Sequence, residues 1–197
     1  MTYLLGLTGS IGMGKSTTAK LFAEGGCEVW DADAAVHRLY APGGAAVGPM
    51  QEAFPGAIID GSVDRQMLKQ ILMADPSKFS QIEAIVHPLL AEDRKIFRQN
   101  ATSDILVFDI PLLFETGGDA AMDGIACVWV DAETQRARVL DRGTMSEAQF
   151  AQILAKQMPI DEKRTRADFE IETDTPEHAA AQVQSVLNQI RKTLRHA

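Results

Sequence analysis

Residues 9 to 16 read Gly9-Ser10-Ile11-Gly12-Met13-Gly14-Lys15-Ser16, which fits G-x-x-x-x-G-K-[ST] without adjustment. The motif constrains its surroundings tightly. Its glycines permit backbone angles that turn successive N–H groups inward, forming an anion-binding concavity. A strand must deliver the chain to that loop and a helix must leave it. The apolar run Tyr3–Leu7 precedes the loop, and a helical pattern follows from Lys15 to about Ala23, ending at Gly25-Gly26. The helix would offer unpaired N–H groups and the positive end of its dipole to a phosphate. Lys15 can then reach the β- and γ-phosphates of a nucleoside triphosphate, and the Ser16 hydroxyl is placed to ligate Mg²⁺.

Four further runs read as buried strands: Glu28–Trp30, Ile105–Phe108, Ile125–Val130 and Phe169–Glu172. Helical patterns alternate with them, from Glu133 to Arg142, from Ser146 with Gln149 completing a capping box, and from Thr175-Pro176 towards Leu194. This alternation predicts an α/β fold with a parallel five-stranded sheet flanked by helices. One interval breaks it. The residues between Trp30 and Ile105 are helical in period and too many for one crossover, so they are expected to form a helical insertion at about 34–100 within a single domain 1–197. Inside it Asp64 and Pro76 should open helices, with a break near His87-Pro88.

A hydrophobic fraction of 46% against 23% charged residues excludes wholesale disorder. The 19 Lys and Arg against 27 Asp and Glu leave a net charge of −8, which repels phosphate backbones and argues against nucleic acid or an anionic membrane as partner. Positive charge is concentrated, however: residues 133–166 carry seven Lys and Arg against five acids. Cys27 and Cys127 are too few for a disulfide framework and read as core residues of a reduced compartment. Without a basic leader or a spanning apolar run, a soluble, cytoplasmic protein is expected. His37, His178 and His196 have no partners at metal-ligand spacing, and Trp30 and Trp129 read as core.

Two features turn a nucleotide site into a kinase. Asp31-Ala32-Asp33 follows a strand whose carboxyl end lies at the ligand-binding edge of such a sheet. An acceptor hydroxyl needs a base within hydrogen-bond reach, and Asp33 is the first candidate, Asp31 the second. The alternative for Asp33 is to cap a helix running from Ala34 to Tyr40. Asp109 ends the strand Ile105–Phe108 where a second, metal-directed carboxylate would stand. Arg138 and Arg142, spaced i, i+4, share a helix face and suit a clamp on phosphoryl charge; their alternative, and the reading preferred for Arg136, is a solvated face.

Gly6-Leu7-Thr8-Gly9-Ser10-Ile11-Gly12-Met13-Gly14-Lys15-Ser16-Thr17, Asp31-Ala32-Asp33, His87-Pro88-Leu89 and Asp109-Ile110-Pro111-Leu112-Leu113-Phe114-Glu115 together closely resemble the dephospho-CoA kinase family. The likeness extends in order through Gln135, Arg138, Gln157 and Ala167-Asp168. It implies a nucleoside-monophosphate-kinase-like P-loop fold and transfer of the ATP γ-phosphate to the ribose 3′-hydroxyl of dephospho-CoA, the last step of coenzyme A biosynthesis. By matching position, Gly12, Met13, Gly14, Lys15, Ser16 and Thr17 would form the ATP loop with Arg138, and Lys15, Asp33 and Arg142 would be catalytic. Thr8 would hold the nucleotide-side geometry, Ser16 and Asp109 would serve Mg²⁺, and Thr8, Asp33, His87 and Glu115 would meet the acceptor. His87 could instead break its helix, and Glu115 could cap a turn. The insertion would correspond to the family's CoA-binding domain and residues 133–166 to its lid, in a monomer with Gly143 as hinge or helix stop.

The chain departs from the family at Ser10 and Met13, which occupy variable positions of the loop motif. It departs again after Ala167-Asp168, where the family tends to read Val-Ile then Asn and Gly and this chain has Phe169-Glu170-Ile171-Glu172-Thr173-Asp174, which leaves the adenine contact open. A kinase for another small acceptor on the same scaffold is the nearest rival. A GTPase switch would need Asn-Lys-x-Asp, which the chain lacks, and a non-catalytic ATP-binding module is the third reading.

Overall fold

The computed structural model describes residues 2–196, with the backbone alone for His196. In chain order the elements are β1 (Tyr3–Gly9), α1 (Lys15–Glu24), β2 (Glu28–Asp31), α2 (Ala32–Tyr40), α3 (Val47–Ala53), β3 (Ile58–Ile59), β4 (Ser62–Val63), α4 (Arg65–Ala74) and α5 (Phe79–Asn100). There follow β5 (Ile105–Asp109), β6 (Gly124–Trp129), α6 (Ala132–Asp141), α7 (Glu147–Leu154), α8 (Ile160–Arg166), β7 (Phe169–Glu172) and α9 (Pro176–His196).

The five long strands form a parallel sheet in the order β2-β5-β1-β6-β7. β1 is central, which is why its sequence is almost continuously apolar: both of its faces are covered. Leu5 and Leu7 join Val107, Val128 and Ile171 from neighbouring strands in a core closed by Phe22 of α1 and Val183, Leu187 and Ile190 of α9. On the opposite face Ile125 packs with Leu113 and Phe114. There Gly6 lets Leu113 lie against the sheet, since a Cβ at residue 6 would stand 2.6 Å from its Cδ2. Strand order reverses direction at β1, with β5 on one side and β6 on the other, which makes the carboxyl end of β1 a topological switch point where such sheets take ligands. Leu7 is level with Asp109 in the sheet, so the phosphate loop and the end of β5 emerge together.

Asp31–Asn100 forms one compact unit, and the rest of the chain another. The smaller unit has its own core of Leu39, Met50, Phe54, Leu68, Ile82 and Val86. It also holds an antiparallel hairpin, β3 with β4, that the helical reading of this interval passes over. The turn between its strands is Asp60-Gly61, both at positive φ (49° and 73°), the dipeptide most suited to a two-residue hairpin.

One local expectation is corrected and one alternative is set aside. The break anticipated at His87-Pro88 is absent: α5 runs unbroken through Pro88. Proline removes one N–H, but Ala84, whose carbonyl loses its partner, and Pro88 are both exposed, so the freed group faces solvent rather than a dry interior. Nor does Asp33 cap α2. That role belongs to Asp31, whose Oδ1 accepts from the Ala34 N–H at 2.9 Å, and the helix starts two residues earlier than Ala34. The capping box at Ser146 and Gln149 forms with both of its hydrogen bonds. Asp64 caps α4, while Pro76 opens a short 3₁₀ turn that leads into α5.

Candidate active site

The phosphate loop owes its shape to two residues in the left-handed region, Gly12 at φ 78° and Gly14 at φ 83°. Gly14 is the N-cap of α1 and has no side chain to cap with, so the Lys15 and Ser16 N–H groups stay available to an anion, while the Thr17 N–H already donates to the Gly14 carbonyl. Close packing also demands glycine at 12, because a Cβ there would overlap Val139 Cγ2 and stand 3.2 Å from the Gln135 carbonyl. Gly12→Ala should therefore combine roughly 1–2 kcal/mol of left-handed strain with a steric clash. The expected result by calorimetry is ATP binding weakened at least about tenfold. Wild-type affinity would show that the loop can shift.

Ser10 and Met13 are buried, at 5% and 1% exposure, and Met13 belongs to the core under the sheet. The positions the motif leaves free are thus used for packing. Lys15 Nζ forms an ion pair with Asp109, itself almost fully buried. Ser16 and Thr17 are exposed on the first turn of α1. The Ser16 hydroxyl and the Asp109 carboxylate are hard oxygen donors, the chemistry Mg²⁺ takes, so the residues present fit that ion.

A cavity of about 240 Å³ opens beside the loop, lined by Gly12, Gly14, Thr17, Arg138, Arg142 and Thr173 among others. The i, i+4 spacing does bring Arg138 and Arg142 to one place. Arg136 points elsewhere and pairs with Glu147 at 2.7 Å on the exposed face. Arg138 is held by Thr173, donating to its carbonyl at 2.6 Å and its hydroxyl at 3.1 Å. The Thr173 hydroxyl in turn donates to the Met13 carbonyl at 2.9 Å. Thr173 thus ties the end of β7 to both the loop and the arginine. No sequence motif marks it, although it falls where the chain departs from the family pattern.

Two glutamines hold the loop from outside. Gln135 Nε2 donates to the Ile11 carbonyl at 2.7 Å, and the Ile11 N–H donates to Gln157 Oε1 at 3.2 Å. A second network supports the segment after β5. The Pro111 carbonyl accepts from the buried Thr8 hydroxyl at 3.1 Å and from Lys163 Nζ at 3.0 Å. Lys163 has no exposed surface and pairs with Glu115 Oε1 at 2.8 Å. Glu115 also accepts from the Met158 N–H at 2.9 Å. Burial pushes the Glu115 carboxyl up, but the Lys163 ammonium and the Met158 N–H outweigh it and hold the group below the usual glutamate range.

Within the unit Asp31–Asn100, Asp33 lies in the first turn of α2, exposed and without a hydrogen bond or ion pair among the described residues. His87 is exposed on α5, with Nε2 3.8 Å from Glu83. Elsewhere His178 does have carboxylate neighbours: its Nδ1 lies 2.7 Å from Asp174, with Glu172 beside them. Trp129 is half-buried with the Arg164 guanidinium 3.8 Å above its ring, whereas Trp30 is core. Burial pushes the Cys27 thiol up to about 11 and the Cys127 thiol up to about 12, so both are inert core residues.

A family model described as dephospho-CoA kinase matches residues 3–178. The dephospho-CoA kinase of Ruegeria pomeroyi is 65% identical over 197 residues, covering all of both chains. Among solved structures, a Thermus thermophilus protein superposes with TM-score 0.84 at 30% identity, covering 95% of this chain and 97% of its own. Dephospho-CoA kinase from Campylobacter jejuni shares the fold, with TM-score 0.70 at 22% identity and coverage of 98% and 99%.

Proposed function

The chain belongs to the dephospho-CoA kinase family, which phosphorylates the ribose 3′-hydroxyl of dephospho-CoA to give coenzyme A, and on that premise we propose how its own residues carry the reaction. The observation that supports the reading best is the cavity in which the uncapped start of α1 meets Arg138 and Arg142. Free N–H groups and two guanidiniums make a cradle for a polyphosphate on a chain whose net charge is otherwise negative.

The loop from Gly12 to Thr17 wraps the ATP phosphates, with Lys15 reaching the β- and γ-oxygens. Asp109 holds the Lys15 ammonium in place until the nucleotide arrives. Ser16 and Asp109 would hold Mg²⁺, which supplies neutralisation of phosphate charge when bound. Asp33 takes the proton from the 3′-hydroxyl as its oxygen attacks the γ-phosphorus, and the bond to the β-phosphate oxygen breaks to release ADP. Arg138 and Arg142, on the lid at 133–166, cover the charge of the transferring group and exclude water. Thr8 acts through Pro111, steadying the turn that follows Asp109. Glu115 acts through Lys163, and His87 is an acceptor contact on the insertion at 34–100. Each of these roles falls on one copy of the chain, which favours a monomer. Two buried free thiols suit the reducing cytoplasm. No described helix is long and apolar enough to cross a membrane.

The purified chain, given dephospho-CoA and Mg-ATP, should produce a species heavier by one phosphoryl group, identified as coenzyme A by mass spectrometry. Turnover of a nucleoside monophosphate with none of dephospho-CoA would overturn the acceptor.

A further inference from the structure

In the unit Asp31–Asn100, α2 carries Asp33, His37 and Tyr40 at i, i+4 and i+7, which puts the three side chains on one face. Tyr40 stands about 10 Å beyond Asp33 along the helix. Two adjoining cavities open at that end. One, of about 300 Å³, is lined by polar groups that include His37, Ser62 and Asp64. The other, of about 430 Å³, has apolar walls: Leu68, Leu72 and Met73 from α4 and Phe79 and Ile82 from the start of α5. Tyr40 and Arg65 line both, with the guanidinium 5.8 Å from the ring centroid, so this pair marks their boundary. Lys69, one turn on from Arg65 along α4, adds a second cation at the mouth of the apolar cavity.

Leu68 and Ile82 also close the unit's core at the back of the apolar cavity, whereas the groups at its mouth are left facing water. Arg65 and Lys69 are exposed, and no hydrogen bond or salt bridge is assigned to either among the described residues. Met73 is 76% exposed and Phe79 53%, large apolar side chains left facing water next to positive charge. Dephospho-CoA has the matching order of parts: a ribose bearing the reacting hydroxyl, then a diphosphate dianion, then a long arm with a geminal dimethyl group. We propose that it lies along α2 with its ribose at Asp33, its diphosphate at Arg65 and Lys69, and its pantetheine arm in the apolar cavity between α4 and α5. The assignment rests on Asp33 being the base, which fixes the end of the molecule from which the order is read. Arg65 and Lys69 answer the dianion, and the arm covers Met73 and Phe79. Both cavity volumes are of the size that holds small molecules.

The double variant Met73→Ser/Phe79→Ser tests this with little risk to folding, since both side chains are exposed. KM for dephospho-CoA should rise about tenfold, the expected cost of losing apolar contact with the arm, while KM for ATP stays put. Neither constant depends on the fraction of folded enzyme. In the unaltered chain 4′-phosphopantetheine, which has the arm and one phosphate but no nucleoside, should compete with dephospho-CoA and not with ATP, and Arg65→Gln should weaken it. An unchanged KM for dephospho-CoA, or competition with ATP instead, overturns the assignment. So does a sedimentation mass of two copies that the double variant returns to one, because the patch would then be a contact between chains. If Asp33→Asn kept full turnover while 4′-phosphopantetheine still competed with dephospho-CoA, the base would be misassigned and the site of the arm would stand.

Discussion

Asp33→Asn is expected to lower turnover by about two to four decades while leaving ATP binding intact, the loss typical of a missing general base. The substitution keeps the size of the side chain and removes only its ability to take a proton. Asp33 is exposed in the first turn of α2, and Asp31, not Asp33, makes the capping hydrogen bond to Ala34. The variant should therefore fold and melt as the parent does. Asp31→Asn is the matching control, because asparagine caps as well as aspartate and should leave both stability and rate nearly unchanged. Single-turnover rates with saturating Mg-ATP separate the chemical step from binding. Unchanged turnover in the Asp33 variant would remove the residue from its role, and an equal loss in both variants would place the effect in the start of the helix.

Lys163→Met should cost stability on the scale of a broken buried ion pair, about 3 kcal/mol, or a fall in melting temperature of roughly 6–12 °C. The lysine has no exposed surface, and its three-donor head serves both Glu115 and the Pro111 carbonyl. Methionine fills much of the space but leaves the carboxylate without its cation. Adding Glu115→Gln should restore part of the loss, since an amide can still accept from the Met158 N–H without a charge to compensate. Additive losses in the double variant would mean that the two residues are not coupled. The pH dependence follows from the same pair. The Glu115 carboxyl is held lower in the folded chain than its unfolded value of about 4.3. Its contribution is thus present above that value and is lost as the pH falls through the folded one. Glu115→Gln should accordingly flatten the acid limb of the stability curve. Activity should fall with stability, because Pro111 follows so closely on Asp109.

The phosphate loop was legible because its demands are local. Glycine at a left-handed φ, lysine at the start of α1 and a strand behind it are each met within a few residues. The strands were legible for a related reason: a strand covered on both faces must be apolar throughout, as β1 and β5 are. Pro88 shows local preference losing. α5 is held by Ile82 and Val86 in the core of its unit, and that packing carries the helix past a residue that would stop an isolated one. The β3–β4 hairpin carried its signal in Asp60-Gly61, but two-residue strands are too short for alternation to register. Lys163 looked like one charge among many on a basic segment. Its burial follows from where α8 lies against β6 and the Pro111 turn, contacts made by residues 48 and 52 positions away in sequence. Thr173 is similar, since its partners Met13, Trp129 and Arg138 come from the phosphate loop, β6 and α6.

The sequence by itself thus determined the sheet, the phosphate loop, the family and its reaction, along with the candidate base and clamp, because those requirements are written in neighbouring residues and in short periods. The tertiary structure alone decided which acid caps α2, which lysine is buried, what holds Arg138, and which exposed cations border an apolar cavity. Each of these depends on side chains that are distant along the chain and meet only when separate elements pack, and no local pattern records that meeting.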